Sequence, residues 1–365
     1  MKTRTILFSL ALAGIAAFVT SCSPSSLTGD ETSQQSLEIP NNVILYKSTT
    51  GTIVIPYDVN AFGANIVSNT YSEDGVGRIV FDADLKEIGY GAFMNCDELV
   101  SITLPNSITT MGQGETFHVN GISFTLCGAV FAGCEHLTSV HLPTALSYLP
   151  GGTFSNCLRL SDIQLPKGVT IIGEEAFYGC RELKTITIPN AVTYIGDYAF
   201  SESGIRSIKL PNSLVYLGRD VFKDSNDLAP ISLPNSVTHI LGCNYNDDWT
   251  SITLPESITH IGRNSFDYKE DTSILHDWSS ITIKAKVPPI ICDWHCFSSE
   301  WKKKGKAAIE YHDNSSGEDE TLFSGSSGSD QYPSGCTIYI PAASVQAYKQ
   351  ALGWRQYADI IKALP

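Results

Sequence analysis

Charge is sparse in this sequence, at 17% of 365 residues, and apart from Lys302-Lys303-Lys304 and Lys306 the basic residues are scattered: 24 Lys and Arg against 38 Asp and Glu give a formal net charge of −14. Nucleic acid and anionic lipid headgroups are poor partners for such a chain on electrostatic grounds. Beyond the N-terminus no run of about 18 apolar residues occurs, so no transmembrane helix is expected in the mature chain. A Gly-rich phosphate loop, His-Glu-x-x-His and Gly-x-Ser-x-Gly are all missing. Acidic residues are plentiful, but their spacing gives no reason to pair two of them as a glycosidase requires. The expectation is a protein that is not an enzyme and needs no cofactor.

What is present begins with an export signal. Met1-Lys2-Thr3-Arg4 is followed by an apolar run over residues 6–19 and then Thr20-Ser21-Cys22, the charged, apolar, small-residue order of a secretory leader. Val19-Thr20-Ser21-Cys22 resembles the bacterial lipobox, which implies a lipid on the Cys22 thiol as residue one of the mature protein; the alternative is an ordinary leader with an incidental Cys. Loss of Lys2 and Arg4 takes the net charge from −14 to about −16. The expected divisions are a signal peptide over 1–21, a polar tether over 22–40, an N-terminal β cap over 41–84, a solenoid over 85–285, and an irregular last repeat with a C-terminal cap over 286–365.

The solenoid is read from spacing. An apolar-x-apolar-Pro element recurs as Ile102-Thr103-Leu104-Pro105, Val140-His141-Leu142-Pro143, Ile163-Gln164-Leu165-Pro166, Ile186-Thr187-Ile188-Pro189, Ile208-Lys209-Leu210-Pro211, Ile231-Ser232-Leu233-Pro234 and Ile252-Thr253-Leu254-Pro255. From Pro143 to Pro255 the prolines lie 23, 23, 22, 23 and 21 residues apart. In step with them run Ile172-Gly173 with Ala176-Phe177, Ile195-Gly196 with Ala199-Phe200, and Leu217-Gly218 with Val221-Phe222. One coil of about 23 residues cannot bury its Ile, Leu and Phe alone, whereas stacked coils share a continuous core. Period 2 in Ile-x-Leu turns both apolar side chains inward, Pro ends the strand, and Gly suits a corner where backbones approach closely.

Three residues past the Phe stand Cys96, Cys134, Cys157 and Cys180, replaced by Ser203 and Ser225 in the next two coils. They read as packed thiols donating weakly to neighbouring backbone; disulfides between adjacent coils are the rival, although parallel side chains suit that poorly.

On these residues the chain resembles the BspA-like leucine-rich-repeat family of bacterial surface proteins, whose repeat runs roughly Leu-x-x-Ile-x-Ile-Pro-x-Ser-Val-x-x-Ile-Gly-x-x-Ala-Phe-x-x-Cys. Leu183, Ile186, Ile188, Pro189, Ala191-Val192, Ile195-Gly196 and Ala199-Phe200 match it closely. The resemblance implies a mainly-β repeat solenoid with a strand-rich N-terminal cap, built from Ile44-Leu45-Tyr46, residues 52–56 and residues 77–81. It also implies a closing segment with a short helix around Ile338-Tyr339-Ile340-Pro341, Ser344, Tyr348, Trp354 and Tyr357. Functionally it implies an adhesin-like surface protein, lipid-anchored to the envelope, probed by a host or microbial protein or glycan partner and touching the membrane through its anchor only. A scaffold or accessory subunit of an envelope complex, such as one for nutrient capture, is the other reading.

Several departures interrupt the repeat. Alternating apolar residues around Asn120-Gly121 predict a two-residue hairpin inserted over 113–126. The coil at Ile240-Leu241-Gly242-Cys243 has no Ala-Phe plug. A polar insertion over 298–335 carries carboxylates that lack the regular ligand alternation of a calcium loop. Cys292, His295 and Cys296, with Cys336, offer zinc donors at a nonstandard spacing, and Cys296-Phe297 sits where a core plug is expected; no metal is expected, and a disulfide among these Cys is the stronger alternative to a core role.

The candidate binding residues form one column. Just before the last apolar position of each second segment stand Tyr148, Ile171, Tyr194, Tyr216, His239 and His260. Facing outward, their rings make a stripe that rises one coil at a time and supplies contact area at low entropic cost. The competing reading is that the rings only stack on one another to stabilise the solenoid.

Overall fold

The computed structural model describes residues 39–113, 116–119, 122–125, 128–241, 249–262, 265–266, 279–292 and 336–365, with backbone only for 113, 116–119, 122–125 and 292. Each regular coil has three edges, and the sequence period explains each one.

The first edge carries the Ile-x-Leu elements. Its N-terminal part is a six-stranded sheet ordered Asp162–Ile163, Ser139–His141, Leu99–Thr103, Val43–Ser48, Gly77–Phe81, Ile66–Tyr71. The coil strands pair in parallel, and the cap strands close the end in antiparallel fashion. At the other end Ser251–Leu254, Ser280–Ile283, Thr337–Ile340 and Ile361–Ala363 form a parallel four-stranded sheet. In between, the structure departs from the expected strand in every coil. Among the described residues, the coils of Ile186, Ile208 and Ile231 keep only one isolated bridge on this edge, Thr185 to Ser207. Single backbone bonds remain between these coils, such as Arg206 N to Lys184 O at 3.0 Å and Ala229 N to Arg206 O at 3.1 Å. Ile208, Ile231 and Leu233 are correspondingly only partly buried.

Each Pro then opens a turn in which its carbonyl accepts from the residue three on, as Val169 N does to Pro166 O (3.1 Å) and Val192 N to Pro189 O (3.1 Å). The turn leads to the second edge, a seven-stranded parallel sheet with only two or three residues per strand. Next comes the corner Gly. A Cβ on Gly196 would lie 2.5 Å from Glu174 N, and one on Gly173 2.3 Å from Gly151 N, so close backbone approach between coils is what selects glycine here.

The third edge carries the plugs. Phe93, Phe131, Phe154, Phe177, Phe200 and Phe222 are fully buried and stack with centroids 5.2–6.0 Å apart and planes within 18°. Backbone bonds run beside them, from Phe154 N to Ala176 O (2.9 Å) and Phe177 N to Ala199 O (2.8 Å). The thiol column has the expected role: Cys134 Sγ donates to Phe93 O (2.9 Å), Cys157 Sγ to Phe131 O (3.1 Å) and Cys180 Sγ to Phe154 O (3.2 Å). Of the two Ser that replace Cys, Ser225 keeps the bond, its Oγ donating to Phe200 O at 2.8 Å, while Ser203 Oγ pairs instead with Ser225 Oγ at 3.1 Å. Cys96, Cys134, Cys157 and Cys180 are free thiols, so the disulfide alternative is not adopted.

Both ends are closed. In the N-terminal cap, Tyr46 is buried and its hydroxyl donates to Asn69 Oδ1 at 2.7 Å; Gly77 is required beside it, since a Cβ there would enter the ring. Residues 52–56, expected as a cap strand, are extended but belong to no sheet; the third cap strand is Ile66–Tyr71 instead. At the C-terminus the α-helix Val345–Gln350 follows a 3-10 turn. Tyr348, Trp354 and Tyr357 are fully buried, and Trp354 Nε1 donates to Pro289 O at 2.7 Å, Tyr348 Oη to Ala285 O at 2.9 Å. The inserted hairpin is present as Thr116–Val119 and Ile122–Thr125, with Val119 opposite Ile122. The residues from Glu38 to Pro365 form one compact unit.

Candidate functional site

The second edge brings the candidate residues together. Parallel pairing places Tyr148 beside Ile171, then Tyr194, Tyr216, His239, His260 and Ile290 in successive rungs. Each is followed by an inward aliphatic residue such as Ile172, Ile195, Leu217 or Ile240, and these are fully or almost fully buried. Strand alternation therefore turns the rings away from the core.

They do not stand apart from one another. Tyr194 and Tyr216 stack at 4.5 Å and 10°, Tyr216 and His239 at 6.4 Å and 30°, and His239 and His260 at 4.5 Å and 6°. Stacking covers Tyr216 and His239 to 6% and 9% exposure, which corrects the expectation of a fully open stripe. Tyr148, Ile171, Tyr194 and His260 are half-buried, and Ile290 is exposed. The aliphatic Ile171 separates Tyr148 from the continuous stack.

A threonine column holds the rings in place. Thr170 Oγ1 donates to Ser147 O (3.0 Å), Thr193 Oγ1 to Thr170 O (3.3 Å) and Thr259 Oγ1 to Thr238 O (3.1 Å). Thr259 Oγ1 also lies 2.8 Å from His260 Nδ1 and Thr238 Oγ1 2.6 Å from His239 Nδ1. With the Thr259 hydrogen committed to a carbonyl, His260 Nδ1 is the donor of its pair. Burial lowers both imidazole pKa values, that of His239 to about 4 with help from His260, so both rings are neutral near pH 7.

Charge flanks the column on one side, a feature the ring spacing alone did not reveal. The residues after the corner Gly are Glu174, Asp197 and Arg219 in consecutive coils. Burial pushes the Glu174 and Asp197 carboxyls up. Asp197 Oδ1 accepts from Arg219 N at 2.8 Å, and the Arg219 guanidinium lies 5.0 Å from the centre of the Tyr198 ring. The visible signal was the run of charged residues immediately after Gly173, Gly196 and Gly218. The arrangement offers hydroxyl and imidazole edges beside carboxylates.

Among the described residues no group of three His, Cys, Asp or Glu side chains could hold a metal ion. His295 and Cys296 lie outside the described residues, as do the acidic insertion, Cys22 and the tether. Cys336 belongs to the core, and burial pushes its thiol up to about 11.

The model of the BspA-type leucine-rich-repeat region matches in 6 copies over residues 64–163, 115–229 and 148–273, more than half of the chain. The chain belongs to this family. Among solved structures, a leucine-rich repeat protein from Bacteroides ovatus is 27% identical, with 63% of this chain and 59% of that chain covered at a TM-score of 0.41. A leucine-rich cell surface protein from Faecalibacterium prausnitzii is 15% identical, covering 82% and 86%, with a TM-score of 0.36. The pneumococcal vaccine antigen PcpA is also 15% identical, covering 80% and 80%, with a TM-score of 0.36. The alignment to the first of these spans about three-fifths of that protein's length. Comparison with curated proteins gives no match. Membership accounts for the repeat, the plugs and the thiol column; it does not single out a binding face.

Proposed function

We propose that this BspA-type protein is a non-enzymatic binding protein of the cell surface, lipid-anchored through Cys22, that uses the second-edge column to hold a protein partner. The observation that carries this reading is the unbroken rung order Tyr194, Tyr216, His239, His260, flanked by Tyr148 and Ile171 below and Ile290 above. Rigid aromatic edges with polar tips are favoured at protein interfaces, and a ladder that fixes them in advance lowers the entropic cost of docking. Sugars pack their C–H faces onto open ring faces, whereas these faces are taken up by neighbouring rings; a protein partner is therefore favoured over a glycan. The first-edge middle residues Thr103, His141, Gln164, Thr187, Lys209, Ser232 and Thr253 make the competing face, and their mostly small polar character suits a smooth sheet better than a hot spot.

The test is a binding screen of the purified protein across extracellular matrix and microbial surface proteins and glycans, followed by Tyr148→Ser, Tyr194→Ser and His260→Ser combined. These are the three half-buried ring positions. With circular dichroism unchanged, affinity for the protein identified should fall at least about tenfold, or roughly 1.4 kcal/mol. Undiminished binding would leave the column a structural device alone.

A further inference from the structure

One extended segment of the N-terminal cap shows its apolar residues to the outside. Val54 and Pro56 are buried, while Ile53 and Ile55 on the same stretch, Tyr57 at the bend after it and Val59 in the next turn are 43%, 68%, 62% and 49% exposed. The stripe is built into the cap. Val54 N donates to Tyr46 Oη (3.2 Å), Asn69 Nδ2 to Val54 O (2.8 Å), Cys96 Sγ to Ile55 O (3.5 Å) and Asp58 N to Ala92 O (3.4 Å). Ile55 O thus receives a thiol as Phe93 O does in the next coil, which makes this segment a rung below the first plug. Four large apolar side chains exposed within seven residues, two on an extended stretch and two on the bend and turn that follow it, are unlike the scattered exposed apolars of an ordinary surface, and such a cluster marks a contact.

The chain outside the described residues indicates what covers it. Ile39 stands 17 residues beyond Cys22, a length that cannot reach farther than about 60 Å even fully extended. The strand Val43–Ser48 then carries the chain roughly 20 Å across the cap to this segment. A lipid on Cys22 therefore keeps the cap within reach of the bilayer, whereas the Phe222 plug lies five coils farther on. Residues 49–65 contain no Lys or Arg, so the contact is apolar and needs no anionic headgroup.

We propose that Ile53, Ile55, Tyr57 and Val59 rest on the surface of the bilayer that carries the Cys22 lipid, standing the solenoid cap-down with its ring column clear of the membrane. The proposal rests on the reading of Cys22 as lipidated and adds a second membrane contact to the anchor. Because the anchor makes docking intramolecular, the effective concentration is on the order of millimolar, and a small patch suffices.

The experiment uses full-length lipidated protein in phosphatidylcholine vesicles. Flotation of the wild type reads the anchor. Tyr57→Trp, compared with Asn212→Trp on an exposed distant coil, reads the cap through quenching by lipids brominated in their acyl chains. Expected are a blue-shifted emission for Tyr57→Trp, quenching roughly twofold above the wild-type background, and no change in about 1 M salt. Adding Ile55→Ser and Val59→Ser should abolish the extra quenching while flotation persists. Quenching of Tyr57→Trp no greater than that of Asn212→Trp overturns the proposal. So does a dimer in detergent that dissociates on Ile55→Ser, which would assign the stripe to a second copy. Failure to float removes the anchor and the proposal with it; the partner-binding reading is tested separately and survives or fails by its own screen.

Discussion

Cys157 donates its thiol hydrogen to the carbonyl oxygen of Phe131, 3.1 Å away in the preceding coil. The same bond joins Cys134 to Phe93 and Cys180 to Phe154, and Ser225 makes it to Phe200 with an oxygen in place of sulfur. The conserved geometry of this contact along the chain identifies the column as a hydrogen-bonding position as well as a packing one.

Cys157→Ser should therefore be tolerated within about 1 kcal/mol, while Cys157→Val, which cannot donate, should cost about 1–2 kcal/mol more. Denaturant midpoints of the two variants check this. A valine variant as stable as the serine variant would reduce the column to a matter of size.

Phe177→Ala should destabilise by about 3–5 kcal/mol, because the ring fills the space between Phe154 and Phe200 at 5.5 and 5.2 Å and leaves a cavity in a dry core. Reversible urea unfolding measures it. A loss under about 1 kcal/mol would mean that the coils collapse around the missing ring.

Two glycines should behave in opposite ways. Gly196→Ala sets a Cβ 2.5 Å from Glu174 N and should cost about 1–3 kcal/mol, since only a backbone shift relieves it. Gly168→Ala meets nothing nearer than Leu146 O at 3.5 Å, and should be neutral or stabilising by about 0.4–1 kcal/mol through the unfolded chain. Thermal unfolding of both variants tests the contrast.

Acid should weaken the second edge. The folded His239 pKa, about 4, lies below its ordinary 6.5, and His260 is lowered too, so the unfolded chain binds more protons in this range. Stability present above pH 6.5 is then lost as pH falls toward 4. His239→Tyr should flatten this slope of melting temperature against pH; an unchanged slope would place its origin elsewhere.

The repeat was legible because its columns are chemically pure: Pro, Gly, Phe and Cys recur for one reason each, and Gly196 or Phe177 shows that reason directly. The ring column was legible in position, from Tyr194 to His260, but not in exposure. Spacing tells which side a residue faces, and the covering of Tyr216 and His239 depends on ring planes settling parallel at the rung spacing. The weakened first edge escaped the pattern because Ile186, Ile208 and Ile231 all preserve the motif, and side-chain spacing does not report whether the backbones of adjacent coils pair as a ladder. The exposure of Ile53, Ile55, Tyr57 and Val59 was not legible, because Ile53-Val54-Ile55-Pro56 is a continuous apolar run that does not say which residues face inward. Tyr46 and Asn69, bonding to the Val54 backbone, decide it.

The break in the first edge has a mechanical meaning. On the first edge the coils toward both ends pair as strands, whereas those of Ile186, Ile208 and Ile231 are joined there by one bridge and scattered backbone bonds. A molecule held on a surface and pulled by a bound partner would yield first in this middle stretch, lengthening there while its anchored base and its far end keep their form.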